Sequence, residues 1–353
     1  MEQIRYKPAR RYVVHLDGDP EHMWDEPCRD YRPAVKRVEA HINKMYGTNV
    51  LVRSLQSMLG AMAYMNWVSY ASELRGLSRE LDVPVGALVF MQLIYEVSTC
   101  CTTAMSRDQD GNIVMSRTMD WDMLLLKDIT IEADFHVGGR SIGVYTTWIG
   151  YVGVLTGISP KGFAVAINYR RTTGGSYWTN VKQLLKYCWP VGYLVREALI
   201  TCQTYGEIVQ FLGNAKIIAP CYITIVGKRA GTVMARNPTS VFRQSVLPST
   251  HEEEVDQHLH AKPILVTDQD FLVQTNNEEV NDNEYNFLLS NERRCFTTER
   301  LVVLEPHKRT DDNLWSIMSV HPVLNNHTIY GCIIKPSQYS IETRVPHEEF
   351  GFL

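Results

Sequence analysis

Thr99-Cys100-Cys101-Thr102-Thr103 runs into Ser106-Arg107-Asp108-Gln109-Asp110-Gly111-Asn112 and then into Ser116-Arg117-Thr118-Met119-Asp120-Trp121. Asp110-Gly111 between two runs that read as strands is a hairpin signal, because a type I′ turn needs φ > 0 at both central positions. With Asp110 and Gly111 as the central pair, Gln109 faces Asn112. Counting back along both arms then puts Cys101 opposite Asp120, with Cβ atoms about 5 Å apart. Arg117 falls on the other face of the pleat unless a bulge or bend re-aims it. One local hairpin thus gathers a thiol, a carboxylate and a guanidinium.

That trio suits nucleophilic catalysis, since the thiolate is the reactive form of cysteine and a neighbouring arginine lowers the cost of making it. The same residues also fit a bland reading. Buried cysteine is a common core residue, and a strand Arg-Asp pair is commonly structural or solvated. Spacing alone leaves both open.

A wider pattern bears on the choice. Tyr95-Glu96-Val97-Ser98-Thr99-Cys100-Cys101-Thr102-Thr103, the Ser-Arg-Thr-Met-Asp ending at Asp120 and Gly150-Tyr151-Val152-Gly153-Val154-Leu155-Thr156-Gly157 occur in that order. They are followed by Ile218-Ala219-Pro220-Cys221-Tyr222, Leu272-Val273-Gln274-Thr275-Asn276, Arg293-Arg294 and His321-Pro322-Val323-Leu324-Asn325 with Thr328-Ile329-Tyr330. With Val14-His15-Leu16-Asp17 and Trp24 near the start, the set resembles the acid ceramidase and N-acylethanolamine acid amidase family across nearly the whole chain. Those enzymes are N-terminal nucleophile (Ntn) hydrolases of the choloylglycine-hydrolase type.

The composition sets outer bounds. At 353 residues and 45% hydrophobic content the chain is long enough for a large core, in one domain or two closely joined halves. A net charge of -4 gives no electrostatic reason to expect nucleic acid. The eight cysteines form no C-x-x-C pair, so neither a zinc ribbon nor a dense disulfide framework is indicated. Met1 to Arg11 lacks the apolar core of a secretory signal, which as written points to the cytoplasm; the resemblance implies a lysosomal or secreted enzyme if a leader has been removed. Asn326-His327-Thr328 is the usable glycosylation sequon, because Asn237 is followed by proline.

Along the chain, Arg11 to Leu16 reads as a strand, and Pro33 to Met45 as an amphipathic helix with Pro33 in its first position. Leu51 to Leu77 reads as a second helix. It is uncharged from Ser54 to Ser72, but its serines, Gln56 and Asn66 argue against a membrane span and for burial against the rest of the fold, with a lipid-surface role as the alternative. Asp82 is a candidate cap for a third helix running from Pro84 to Glu96. From residue 101 the texture changes. Strands are expected at 129–137, 141–148, 151–155, 163–169, 221–226, 232–235, 264–266, 271–275 and 328–334, and helices at 181–203, 206–212 and 312–320. Antiparallel sheets covered by helices follow. His251, Glu252, Glu253, Glu254, Asp256, His258 and His260 do not match the H-E-x-x-H spacing and read as a solvated acidic loop rather than a metal site.

The resemblance makes the expectations specific. It implies an α+β fold, the Ntn-hydrolase αββα sandwich of two antiparallel sheets flanked by helices. It also implies cleavage of the Cys100-Cys101 bond into a mainly helical chain 1–100 and a β-rich chain 101–353 that remain associated. Cys101 then supplies both the thiol and a free α-amine. Asp120 matches the carboxylate that holds that amine, and Arg117 the guanidinium that favours the thiolate. Asn276 and, more weakly, Asn168 match oxyanion asparagines, and Arg293 matches a second site arginine. Asn277-Glu278-Glu279 departs from the family's usual Tyr-Asp after the asparagine, and Cys100 is unusual before the nucleophile. The implied substrate is a lipid amide such as ceramide or an N-acylethanolamine, presented with peripheral membrane contact and hydrolysed without metal or organic cofactor. The apolar residues of 51–77 and the aromatic stretch Tyr145 to Tyr151 are candidates for an acyl channel. Two alternatives stand beside this: hydrolysis of a bile salt, penicillin or acyl-homoserine lactone on the same fold, or an uncleaved lipid-binding relative without turnover.

Overall fold

Two runs of alternating residues build the centre of the structure, β3 (Cys100–Arg107) and β4 (Ile113–Asp120), and every residue of both is buried. Side chains of successive strand residues point to opposite faces, so a hairpin buried on both faces must be covered twice. The computed structural model, which describes residues 6–46, 49–94, 100–170, 188–249, 264–267, 269–277 and 289–347, shows both covers. β3 and β4 lie in an antiparallel six-stranded sheet of order β1-β15-β14-β4-β3-β13, with β1 Tyr6–Pro8, β13 Phe271–Gln274, β14 Thr328–Lys335 and β15 Ser340–Pro346.

One face of that sheet packs on a nine-stranded sheet. Its strands are β2 (Arg10–His15), β5 (Thr130–Val137), β6 (Arg140–Trp148), β7 (Thr156–Ser159), β8 (Phe163–Tyr169), β9 (Cys221–Gly227), β10 (Gly231–Asn237), β11 (Ser240–Leu247) and β12 (Ile264–Val266). Hydroxyl pairs cross the interface between the sheets, Thr146 to Thr343 at 2.6 Å and Thr156 to Tyr330 at 2.8 Å. The expectation of purely antiparallel sheets needs one correction: β2 pairs parallel to β5 and β12 parallel to β11, so the larger sheet is mixed at both edges.

Helices cover the outer faces. α1 (Asp25–Tyr46), α2 (Val50–Tyr64), α3 (Ala71–Leu81) and α4 (Val85–Ile94) precede the hairpin, and α5 (Val191–Thr201) and α6 (Tyr205–Asn214) follow β8; their apolar faces join the main core with the larger sheet. α7 (Ser290–Val303) and α8 (Asp311–Met318) form a second core with Ala104, Val114 and Ile333 on the outer face of the smaller sheet. Residues 6–94 are mainly helical, yet they supply an edge strand to each sheet.

Several element boundaries differ from the sequence reading for local reasons. α1 begins at Asp25, eight residues before Pro33, because Asp25, Glu26 and Pro27 already satisfy the first turn and the strand before it has ended at His15. The 51–77 stretch is two helices, interrupted where Asn66 and Tyr70 take φ of 57°. Leu59, Ala63, Leu74 and Leu77 are buried as expected, whereas Leu51, Tyr64 and Trp67 are exposed. Asp82 ends α3 in the left-handed region rather than capping α4. Residues 151–155 form a loop, not a strand, and the ladder resumes at Thr156. Helices α7 and strands β11 and β15 carried too weak a periodicity to be read. The His251 to His260 cluster and most of the expected helix start at 181 lie outside the described residues.

No described helix is long and apolar enough to cross a membrane.

Candidate active site

The hairpin turns differently from its sequence signal, and the difference reorganises the site. Asp108 accepts at Oδ1 from the Asp110 and Asn112 amides, 2.9 and 2.8 Å, and its carbonyl accepts from Gly111 N at 3.1 Å. Asp108-Gln109-Asp110-Gly111 is therefore a turn stabilised by the Asp108 side chain, with Gly111 alone at positive φ (77°). Pairing shifts by one residue: Cys100 faces Asp120, Cys101 faces Met119 and Thr103 faces Arg117. A one-residue slip exchanges faces. Arg117 consequently shares a face with Cys101, while Asp120 lies on the opposite one with Cys100 and Thr102.

The face toward the larger sheet holds the thiol. Arg117 donates from Nη2 to Cys101 Sγ at 3.3 Å and from Nη1 to the Leu155 carbonyl at 3.4 Å, and both residues are 0% exposed. Met119 Sδ lies 3.5 Å from the thiol sulfur. Burial pushes the Cys101 thiol up, and Arg117 opposes that push. Arg117→Met is accordingly expected to raise the thiol further. Because the thiolate forms only above that value, the rising limb of any thiolate-dependent pH–rate profile moves to higher pH in the variant; a profile that keeps its position would separate Arg117 from thiolate formation.

Next to this group, Trp148 packs on Tyr330 with ring centres 6.3 Å apart, and on Trp121 at 5.7 Å. Trp121, Trp148, Ile149 and Tyr151, with Ile42 and Met91 from α1 and α4, close around an apolar pocket of about 30 Å³. Trp148, Ile149 and Tyr151 of the expected aromatic stretch line this pocket, whose volume is that of about one water and not that of an acyl chain. Its helical wall comes from α1 and α4, not from residues 51–77.

The face toward α7 holds the carboxylate. Arg293 of α7 donates from Nη1 to Thr102 Oγ1 at 2.8 Å and to Asp120 Oδ2 at 3.4 Å, and from Nη2 to Asn276 Oδ1 at 3.0 Å. Thr328 donates to Asp120 Oδ1 at 2.7 Å. Burial raises the Asp120 carboxyl above its ordinary range, and Arg293 and Thr328 act against it.

Between the two faces lies the main-chain nitrogen of Cys101, which donates to Asn276 Oδ1 at 2.9 Å. Cys101, Arg117, Asp120, Asn276 and Arg293 therefore converge on the first residues of β3. The asparagines are oriented differently from the oxyanion expectation. Asn276 presents its carbonyl to Cys101 and donates from Nδ2 to the Tyr169 carbonyl at 2.9 Å; Asn168 accepts from Thr103 Oγ1 at 2.7 Å and donates to the Gln274 carbonyl at 2.9 Å. Thr102, Thr103, Thr328 and the Leu155 carbonyl belong to the site and carry no sequence signal of their own, since hydroxyl and main-chain partners have no characteristic spacing.

Residues 101–235 match the linear amide C–N hydrolases of the choloylglycine hydrolase family, and the match opens at Cys101. Acid ceramidase of Homo sapiens is 25% identical over 357 residues, covering 94% of this chain and 85% of the relative. The chain is a relative of the acid ceramidases and N-acylethanolamine acid amidases. The N-acylethanolamine-hydrolyzing acid amidase of Caenorhabditis elegans is 27% identical over 349 residues, covering 94% of this chain and 90% of its own. The solved structure of a Caenorhabditis elegans N-acylethanolamine-hydrolyzing acid amidase ortholog superposes with a TM-score of 0.54 at 28% identity, over 67% of this chain and 93% of the other. The two packed sheets between helical layers are the Ntn-hydrolase fold.

Proposed function

We propose that this ceramidase and amidase relative is a self-processing cysteine amidohydrolase that cleaves a lipid N-acyl amide, a ceramide or an N-acylethanolamine, to a fatty acid and an amine. One observation carries the proposal: the Cys101 thiol lies 3.3 Å from a buried guanidinium while its own main-chain nitrogen is held by Asn276. The names of the relatives supply the substrate class.

In the maturation step the Cys101 thiolate attacks the Cys100 carbonyl carbon. The C–N bond breaks, the Cys101 nitrogen leaves as an amine after taking a proton, and a thioester forms. Water then hydrolyses the thioester, freeing the thiol and a Cys100 carboxylate. An unperturbed α-amino group titrates at about 7.7–8.0, against about 10.4 for a lysine, which is the range that suits general-base work near neutrality. In turnover the same thiol attacks the substrate amide and releases the amine first, then water releases the fatty acid. Asn276, already against the Cys101 nitrogen, orients the amine; Arg293 and Asp120 hold Asn276 and Thr102 in place.

Intact mass and N-terminal sequencing before and after acidic incubation test the processing. Fatty-acid release from vesicle-borne and detergent-dispersed ceramides and N-acylethanolamines, beside bile-salt, penicillin and acyl-homoserine-lactone controls, tests the substrate class. Two chains, the larger beginning at Cys101, with release from a lipid amide are expected. A chain that stays uncut under all conditions and releases no fatty acid overturns the proposal, and turnover confined to a control amide replaces the substrate class.

A further inference from the structure

Among the described residues the Cys101 sulfur meets two donors and one acceptor. Arg117 donates to it from Nη2 at 3.3 Å, and the main-chain N–H of Asp120 donates to the same atom. Neither a guanidinium nor an amide N–H has anything with which to accept. The acceptor is Met119, a thioether with no hydrogen to give, whose Sδ lies 3.5 Å from Sγ. Met119 is the cross-strand partner of Cys101 on one side and of Tyr330 of β14 on the other, so ladders on both sides hold its backbone, and its side chain is fully buried. Arg117 Nη2 also reaches Met119 Sδ, at 3.8 Å. A neutral Cys101 therefore directs its S–H at Met119.

We propose that Met119 is a positioning residue for Cys101: its thioether accepts the thiol hydrogen, fixes the direction of that hydrogen and holds the nucleophile in its neutral form beside Arg117. The inference rests on the reading of Cys101 as the nucleophile, and adds a second control on the sulfur, opposite in sign to the first. Arg117 and the Asp120 amide stabilise a thiolate, because each gives it a hydrogen bond. Met119 serves the thiol alone, since a thioether has no hydrogen bond to offer an anion. Thiol and thioether are both weak hydrogen-bonding groups, which suits a restraint that a base must overcome. On the proposed mechanism that base arrives with the cut at Cys100-Cys101: the freed Cys101 amine is a stronger acceptor and competes with Met119 for the same hydrogen.

Met119→Leu tests this in the full chain at neutral pH, before any acidic incubation. Leucine for methionine conserves volume and is among the best tolerated core exchanges, so the variant is expected to fold. Two readings are taken: the Raman S–H stretching band of Cys101, isolated in each background by subtracting the spectrum with Cys101→Ser added, and the ionisation midpoint of Cys101, followed by NMR on ¹³Cβ-cysteine. Loss of the acceptor is expected to move the band to higher frequency. It is expected to lower the midpoint by about half a pH unit, roughly a threefold gain in thiolate at any pH below it. The titratable and charged groups that bear on the sulfur are Arg117 and Asp120 of β4, Cys100 of β3, Arg293 of α7 and Tyr330 of β14, and none of them is altered. Met115→Leu, which removes another buried thioether from β4 where it faces Met105 and Ile334, is expected to leave both readings in place. A space-filling role for Met119 has the opposite sign, because loosened packing lets Arg117 retreat and the midpoint rise. A folded Met119→Leu whose band keeps its frequency overturns the proposal, and so does a midpoint that rises. Should that variant not fold, replacing the methionines with norleucine, which has the same length and no sulfur, decides in its place by the same band. Neither reading involves cleavage or substrate, so a chain that is never cut sinks the proposed activity and leaves this result standing.

Discussion

Cys101→Ala is expected to leave a single 353-residue chain after acidic incubation and to lower amide hydrolysis by at least about 10⁴-fold, the scale on which removal of a nucleophile acts. The loss is large on the proposed mechanism, in which one residue supplies two groups, the thiol that attacks and the α-amine that exists only once the chain is cut. The fold should tolerate the change: the thiol is buried among Arg117, Met119 and Tyr330, and deleting one sulfur costs roughly 1 kcal/mol of stability by the area removed. Melting temperature therefore stays close to that of the parent while both activities vanish. Cys100→Ala is the informative companion. Cys100 contributes only its carbonyl carbon to the bond that breaks, and its own thiol is pushed well above its ordinary value by burial. Processing should persist in that variant. Two chains from Cys101→Ala would place the cutting thiol elsewhere, and a block in Cys100→Ala alone would make the second thiol the nucleophile.

Much of this site was legible because the hairpin is local. Cys101, Arg117 and Asp120 sit within one pair of strands, and no long-range folding is needed to bring them together. What failed was the register. Asp110-Gly111 is the usual sign of a two-residue turn, but the Asp108 carboxylate bonds two amides beyond it and draws the turn one residue toward the N-terminus. That single step put Arg117 on the thiol's face and Asp120 on the other. Asn168, Asn276 and Arg293 are 65 to 191 residues from their partners on β3, and only the ordered resemblance pointed to them. Thr102, Thr328 and the Leu155 carbonyl act through hydrogen bonds to residues distant in sequence, a contribution that periodicity cannot carry. The loop at 151–155 was misread for the same reason. Its apolar run suits a strand, whereas Val152 bonds to Gln92 and Arg196, the Tyr151 carbonyl accepts from Thr147, and Val154 N donates to the Gly192 carbonyl.

Arg293→Met is expected to destabilise the protein by about 3–5 kcal/mol at neutral pH, the usual cost of leaving one member of a buried ion pair alone. Arg293 and Asp120 are both 0% exposed, and Arg293 also ties Thr102 and Asn276. Without the guanidinium the carboxylate keeps Thr328 but faces no cation at contact distance in the pair it now occupies. Burial already raises Asp120, and removal of the opposing charge raises it further. A group whose pKa is higher folded than unfolded contributes stability that is full below the unfolded value and lost as pH rises through the folded one. The variant's deficit should therefore be small near pH 4 and grow toward pH 7, which denaturant unfolding at the two values would read directly. Adding Asp120→Asn removes the stranded charge, so the double variant should recover most of the stability at pH 7. It should not recover processing or turnover, because Asn276 Oδ1 still lacks the donor that fixes it against the Cys101 nitrogen. Equal stability of the single and double variants at pH 7 would show that the pair is uncoupled. Recovery of turnover in the double variant would show that charge balance, rather than the placement of Asn276, is what the buried arginine contributes.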